Sequence, residues 1–302
     1  MLSSTPLRVK KSKVYNFQDL DDAFVLCRML GTYPFNISCD RLSWNVPSVG
    51  VAVVFYILLI AARTTYITYV FTGLAYRESY RIIIHAIESG ASVGVGIGIA
   101  ITMVRYWKTA DSYLEIQAEI KALLAFIADK KQPKKFVCRV ALRCVHLIPL
   151  FVIIVNDLAE FGEFSVPERT MMLAAYFSNI RIFTFTLIYS IHVRWIGHIF
   201  ETLIDNTKSA NRQFLIRNGV ALCKIEENVH VLCCKHNNIF APSLILLILK
   251  SFIVMTNNLF WTIFVKQERL KIIQFAWVLA YLSYCLVMFN SAEYCLEKVR
   301  RC

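Results

Sequence analysis

The chain has 302 residues, 57% of them hydrophobic and 18% charged, with a mean hydropathy of +0.52. Soluble domains average roughly 45–50% apolar and about 25% charged, so this balance points to a membrane and excludes a disordered chain, while 10 Gly and 7 Pro are too few for a collagen-like one. A net charge of +12 would suggest nucleic acid for a soluble protein, but in a membrane protein Lys and Arg gather in cytosolic loops, so their placement decides.

Residues 1–46 read as a cytosolic N-terminal segment, with Arg8, Lys10, Lys11 and Lys13 near its start and no apolar run that could serve as a cleaved signal peptide. The mature chain is therefore expected to begin at or near Met1. The transmembrane bundle then occupies residues 47–302, with apolar stretches at about 49–71, 82–104, 136–156, 171–193, 240–264 and 272–289. At 1.5 Å per residue such lengths match a hydrocarbon core about 30 Å thick. The third stretch carries Arg139, Arg143 and His146 in its first half and depends on the arginines snorkelling to the interface. The predicted fold is all-α: a polytopic membrane helical bundle of six transmembrane helices, with cytosolic helical loops at 105–135 and 194–239.

An even number of crossings puts both termini on one side. Lys and Arg crowd the N-terminal segment, the two long loops and the C-terminal tail. The opposite connections hold only Arg77, Arg81, Arg169, Lys266, Arg269 and Lys271. Both ends are therefore expected in the cytosol. The sequon Asn36-Ile37-Ser38 then falls inside, and none of the ten cysteines lies in a predicted external loop, so no disulfide framework is expected. In the long loops, Ile199, Leu203 and Ile204, and Leu222, Ile225, Val229 and Leu232, recur at helical spacing. Such stripes need a partner, either another subunit or each other, and oligomerisation is the expectation.

Little in the chain suggests catalysis. Glu88 is the one carboxylate well inside a span, which leaves an intramembrane protease dyad without its second member. No GxxxxGK[ST] loop signals an ATP-driven pump. His230, Cys233, Cys234 and His236 are capable of binding metal but lack a paired CxxC; the adjacent cysteines could equally be palmitoylated, and the plain alternative is neither. The acids Asp157, Glu160, Glu163 and Glu168 form either a solvated outer loop or a rim that concentrates cations. No enzymatic activity, metal or cofactor is expected.

Gly90, Gly94 and Gly98 repeat GxxxG on the second span and imply close helix packing. Arg63, Glu88, Arg181 and Lys250 lie at membrane depth, where a charge costs about 2.5–3.5 kcal/mol on insertion scales, so they should face a wet interior. They form either structural ion pairs, such as Glu88 with Arg181 or Lys250, or part of a ligand or ion pathway. The outer halves of the spans add His85, Glu88, Tyr176, Asn179, Asn257, Asn258, Trp261, Gln274, Trp277 and Tyr281. Aromatic walls with a few directed polar groups suit a small, partly apolar organic ligand; the alternative is an interfacial aromatic belt. The candidate ligand-binding residues are His85, Glu88, Tyr176, Asn179, Asn257, Trp261, Gln274, Trp277 and Tyr281.

The stretch Leu30-Gly31-Thr32-Tyr33-Pro34-Phe35 just before the first span resembles the opening of insect gustatory receptors. The cytosolic N-terminus, short external loops and long helical loop after the fourth span are similar too, as is a sixth span running from Trp277, Tyr281 and Tyr284 to Glu293, Glu297 and Arg300. The resemblance implies a tastant-gated cation channel of the plasma membrane acting in taste perception. It would be a homo- or hetero-tetramer with other gustatory receptor subunits, surrounded by membrane lipid, with a tastant pocket among helices two to six and a pore built from a seventh. That family's signature, Thr-Tyr followed by hydrophobic residues and Gln-Phe on the seventh helix, does not occur here. Either these residues are a shortened or degenerate receptor, or they form a six-span subunit, and alone they are expected to form no pore. Tastant-evoked current from cells expressing only these residues would refute that.

Two other classes remain open. A G-protein-coupled receptor would need an external N-terminus, an external disulfide and Asp-Arg-Tyr and Asn-Pro-x-x-Tyr motifs, none of which is expected here. A transporter-like protein or non-conducting scaffold would fit the charged interior, although no internal repeat relates the two halves.

Overall fold

The computed structural model describes residues 27–33, 35–38, 41–73, 79–127, 148–159, 162, 165–208, 212–264, 266 and 268–300. Its elements in chain order are β1 (Phe35–Ser38), β2 (Arg41–Trp44), α1 (Val46–Gly73), α2 (Ser79–Ile127), α3 (Ile148–Ala159), α4 (Val166–Lys208), α5 (Arg212–Phe264) and α6 (Glu268–Arg300). Helices α1, α2, α4, α5 and α6 are each long and apolar enough to cross a membrane, so the chain has the build of a multi-pass membrane protein. The predicted third span is described only from Ile148 onward, as a helix of 12 residues running to Ala159 rather than Asn156. The helical extensions predicted at 105–135 and 194–239 are, where described, direct continuations of α2, α4 and α5.

The all-α expectation misses one element. β1 and β2 pair antiparallel, with Phe35 opposite Trp44. Their rings lie 4.7 Å apart between centroids, and Trp44 meets Trp107 of α2 at 5.4 Å. Cross-strand aromatic pairing of this kind holds a hairpin too short to persist alone. Just before it, Gly31 has φ +64°, and a Cβ there would sit 2.7 Å from the Ala52 amide nitrogen. Only glycine meets both the left-handed backbone and that approach. The turn seats Thr32 and Tyr33 in the bundle, where the Thr32 hydroxyl donates to Thr184 Oγ1 at 3.0 Å and the Tyr33 hydroxyl to the Tyr106 hydroxyl at 3.4 Å.

Local chemistry sets the helix starts. Asn45 Oδ1 accepts from the Ser48 amide at 3.0 Å ahead of α1. Before α4, Glu168 Oε2 accepts from both the amide and the hydroxyl of Ser165, the glutamate half of a capping box.

Helices α2 and α5 run antiparallel along a polar seam. Lys224 pairs with Glu119 at 2.7 Å, Lys235 Nζ donates to Ser112 Oγ at 2.7 Å, and Ser243 Oγ donates to the Gly98 carbonyl at 2.6 Å while also bonding Thr102. Helices α4 and α6 run parallel, joined by Ser190 and Ser291 at 2.6 Å and by Tyr294 and Lys298 on Glu201, each at 3.1 Å.

The stripes expected to seek another subunit are satisfied within the chain. Ile199, Leu203, Ile204, Ile225, Val229 and Leu232 are all buried, with the long helical extensions packed in one core. These apolar faces therefore have neighbours within the chain. The expected GxxxG contact is reduced to one glycine. A Cβ on Gly98 would meet Leu246 Cδ1 at 3.0 Å and Ser243 Cα at 3.4 Å, whereas Gly90 and Gly94 face open space. Gly96, outside that repeat, takes the close approach of α1, with Tyr56 Cε1 at 2.9 Å.

Candidate functional site

A cavity of about 350 Å³ opens at the end of the bundle where α1 and α5 finish and α2, α4 and α6 begin. Its wall combines Arg63 and Tyr66 of α1, Glu88 and Ser92 of α2, Glu168, Met171, Met172, Ala175 and Asn179 of α4, Lys250, Val254, Asn257, Asn258 and Trp261 of α5, and Gln274, Trp277 and Tyr281 of α6. That volume falls at the lower end of the roughly 300–1,000 Å³ usual for small-molecule sites, and the mix of aromatic, thioether and directed polar groups is the usual one.

Seven of the sequence-predicted residues converge there: Glu88, Asn179, Asn257, Trp261, Gln274, Trp277 and Tyr281. Tyr176 does not. Its hydroxyl donates to Asp157 Oδ2 and its ring packs with Leu150, Ile153, Ile273 and Ala276, so it ties α3 to the bundle instead of facing the cavity. His85 lies on α2, but its side chain is outside the described residues.

The polar groups are arranged in a definite order. Asn257 Nδ2 donates to Glu88 Oε1, and Ser92 Oγ donates to the Glu88 carbonyl at 2.8 Å. Arg63 Nη1 and Nη2 reach the hydroxyls of Ser89 and Ser92, each at 3.4 Å, leaving Nε without a hydrogen bond. Lys250 is 2% exposed, its ammonium 5.5 Å from the centre of the Tyr281 ring. On the far wall Trp277 and Tyr281 lie 6.3 Å apart between ring centroids.

Of the two readings of the membrane-depth charges, direct ion pairs such as Glu88 with Arg181 or Lys250 are not seen among the described residues. Among the described residues no carboxylate lies within 4.0 Å of Arg63, Arg181 or Lys250. Arg181 stands apart, its guanidinium 4.4 Å from the centre of the Tyr56 ring beside an apolar slot between α1, α2 and α4. Glu88 takes an amide rather than a cation. Arg63 and Lys250 belong to the wall; from the sequence they are expected to face a wet interior, but they are not among the candidate ligand-binding residues. Their position one and two turns deeper than the polar ring of the mouth was the available signal.

Other expected groups resolve plainly. Glu168 serves both the α4 cap and the cavity mouth, Asp157 binds Tyr176, and Glu160 and Glu163 lie outside the described residues. His236 is buried and stacked on Phe240 at 4.5 Å and Tyr189 at 5.5 Å. His230 and Cys234 lie 3.8 Å apart on the surface. Among the described residues no group of three or more His, Cys, Asp or Glu is placed to hold a metal ion. Outside the spans, burial pushes the Cys27 thiol up to about 12, and its Sγ donates to the Thr184 carbonyl at 3.8 Å, so it is a packing residue and not a nucleophile.

No protein-family model matches the chain, and no curated protein matches it either.

Proposed function

We propose that the chain is a plasma-membrane chemoreceptor subunit of the gustatory kind, binding a small organic tastant in the cavity at the end of the bundle. The observation that carries this reading is the convergence of Glu88, Asn179, Asn257, Trp261, Gln274, Trp277 and Tyr281, drawn from four helices, on one cavity. With the N-terminus in the cytosol, as the loop cations favour, α1 runs outward and the cavity mouth faces the exterior.

Six crossings fit the helix directions. α2 leaves the mouth, and its C-terminal half pairs through Glu119 with the far end of α5; α4 then begins at the mouth again. Between them in the chain lies α3, packed on α6, which this reading takes as part of a further crossing. The resemblance would place a tastant among helices two to six. Here α1 supplies Arg63 and Tyr66, while no described residue of α3 lines the cavity, so the pocket is shifted toward α1.

In this reading the protein binds and signals without catalysis, as a cation-channel subunit that assembles with other copies or related chains. The test is sided labelling in intact cells combined with tryptophan fluorescence of the purified protein. N- and C-terminal tags should label only after permeabilisation, and a tag at Gly162 should label from outside. Tastants should quench Trp261 and Trp277. An externally labelled N-terminus, or no quenching by any of a broad set of small organic tastants, overturns the reading.

A further inference from the structure

Charge in the deep half of the cavity is unbalanced. Lys250 is almost wholly buried and lines the cavity, and its ammonium meets no carboxylate or hydrogen-bond acceptor among the described residues. Arg63, 7% exposed, offers Nη1 and Nη2 only to two hydroxyls at 3.4 Å and leaves Nε unused. Of the two carboxylates in the described cavity wall, Glu88 already accepts from the Asn257 amide. Glu168 is held at the mouth by Ser165. Two basic side chains therefore face carboxylates that are already engaged, and a buried charge is costly unless an opposite charge meets it.

We propose that the cavity selects an organic anion: a small carboxylate whose head sits between Lys250 and Arg63 and whose aromatic body lies along Trp277. This rests on the cavity being the ligand site and adds the chemical class of the ligand. A guanidinium fork and a mobile ammonium can both bond carboxylate oxygens, and charge-assisted bonds of this sort are about twice as strong as neutral ones. A bare inorganic anion would leave most of a cavity of about 350 Å³ unfilled. The aromatic wall gives the remainder of an organic acid something to cover. A fatty acid from the bilayer presents the same head group, so the test separates the two sources.

The experiment measures tryptophan quenching in phosphatidylcholine nanodiscs at pH 7 with four probes: 3-phenylpropionate, 3-phenylpropionamide, 3-phenylpropylammonium and decanoate. The expected result is that 3-phenylpropionate binds about tenfold or more tighter than its amide and its ammonium counterpart, and tighter than decanoate. Lys250→Met should abolish the preference for acid over amide while keeping amide binding, which also reports that the variant is folded. Lys250→Arg should retain the preference. If Lys250→Met fails to assemble, Arg63→Gln reads the same loss. Equal or tighter binding of the amide or the ammonium, or a preference that survives Lys250→Met, overturns the anion proposal and leaves the ligand-site reading standing. Tighter decanoate binding overturns the small soluble acid in favour of a lipid. Failure of all four probes overturns the anion proposal, and the ligand-site reading falls with it only if the broad tastant set also fails to quench.

Discussion

Arg105 Nη1 donates to the carbonyl of Asn238 at 3.0 Å, joining α2 to the turn of α5 that precedes Pro242. The link has a covalent cause. Pro242 has no amide hydrogen, so the carbonyl four residues earlier, that of Asn238, has no intrahelical donor. Thr102 Oγ1 lies 3.3 Å from the next carbonyl, that of Ile239. A break inside α5 thus becomes a junction with α2 rather than an unsatisfied group.

This predicts a coupled pair of substitutions. Arg105→Ala should cost about 0.5–1.5 kcal/mol, the usual net worth of one hydrogen bond. In a Pro242→Ala background the restored amide supplies the donor and the same substitution should cost less. A double-mutant cycle on thermal melts in detergent checks this, and additive losses would show that Pro242 and Arg105 act independently.

The three glycines of the second span should separate. Gly90→Ala and Gly94→Ala add a methyl to open space and gain helix propensity, so each should leave stability unchanged or raise it by up to about 1 kcal/mol. Gly98→Ala pushes against Leu246 and Ser243 and should lower the melting temperature relative to the other two. Equal effects at all three positions would contradict the packing described for Gly98.

Glu119 gives the bundle a pH response outside the spans. The hydrogen bond from Lys224, with its charge, holds the Glu119 carboxyl below its ordinary value of 4.5. A depressed carboxylate contributes stability that is fully present above that value and is lost as pH falls through the lower folded value. Both side chains are more than a third exposed, so the contribution is small and weakened by salt. Melting temperatures between pH 3 and 6 should fall less steeply for Lys224→Ala than for the unaltered chain, and the difference should shrink in high salt.

The two aromatic candidates should behave oppositely in ligand binding. Tyr176→Phe removes a hydroxyl that binds Asp157 away from the cavity, so it should lower stability and leave ligand affinity unchanged. Trp277→Ala removes cavity wall and should weaken binding by about tenfold, in the range of one lost aromatic contact. Titration of the purified variants with any ligand that quenches the unaltered protein distinguishes the two.

Long apolar runs made α1, α2, α4, α5 and α6 legible, because twenty apolar residues in succession have few other places to go. Most of the cavity wall was legible for a related reason: polar side chains within such runs must turn inward, which picked out Glu88, Asn257 and Gln274 before their neighbours were known. Tyr176 shares their depth and composition, but which way a tyrosine on α4 points depends on where α3 docks, and sequence spacing carries no such information. Whether Glu88 would pair with Arg181 or Lys250 was equally undecided; it meets Asn257 instead, because the rotation and height of α2 against α5 decide which side chain it reaches. The chain alone determined a helical membrane protein with charges buried at depth; the packing of α2 against α5 left Lys250 and Arg63 facing the cavity without a carboxylate of their own.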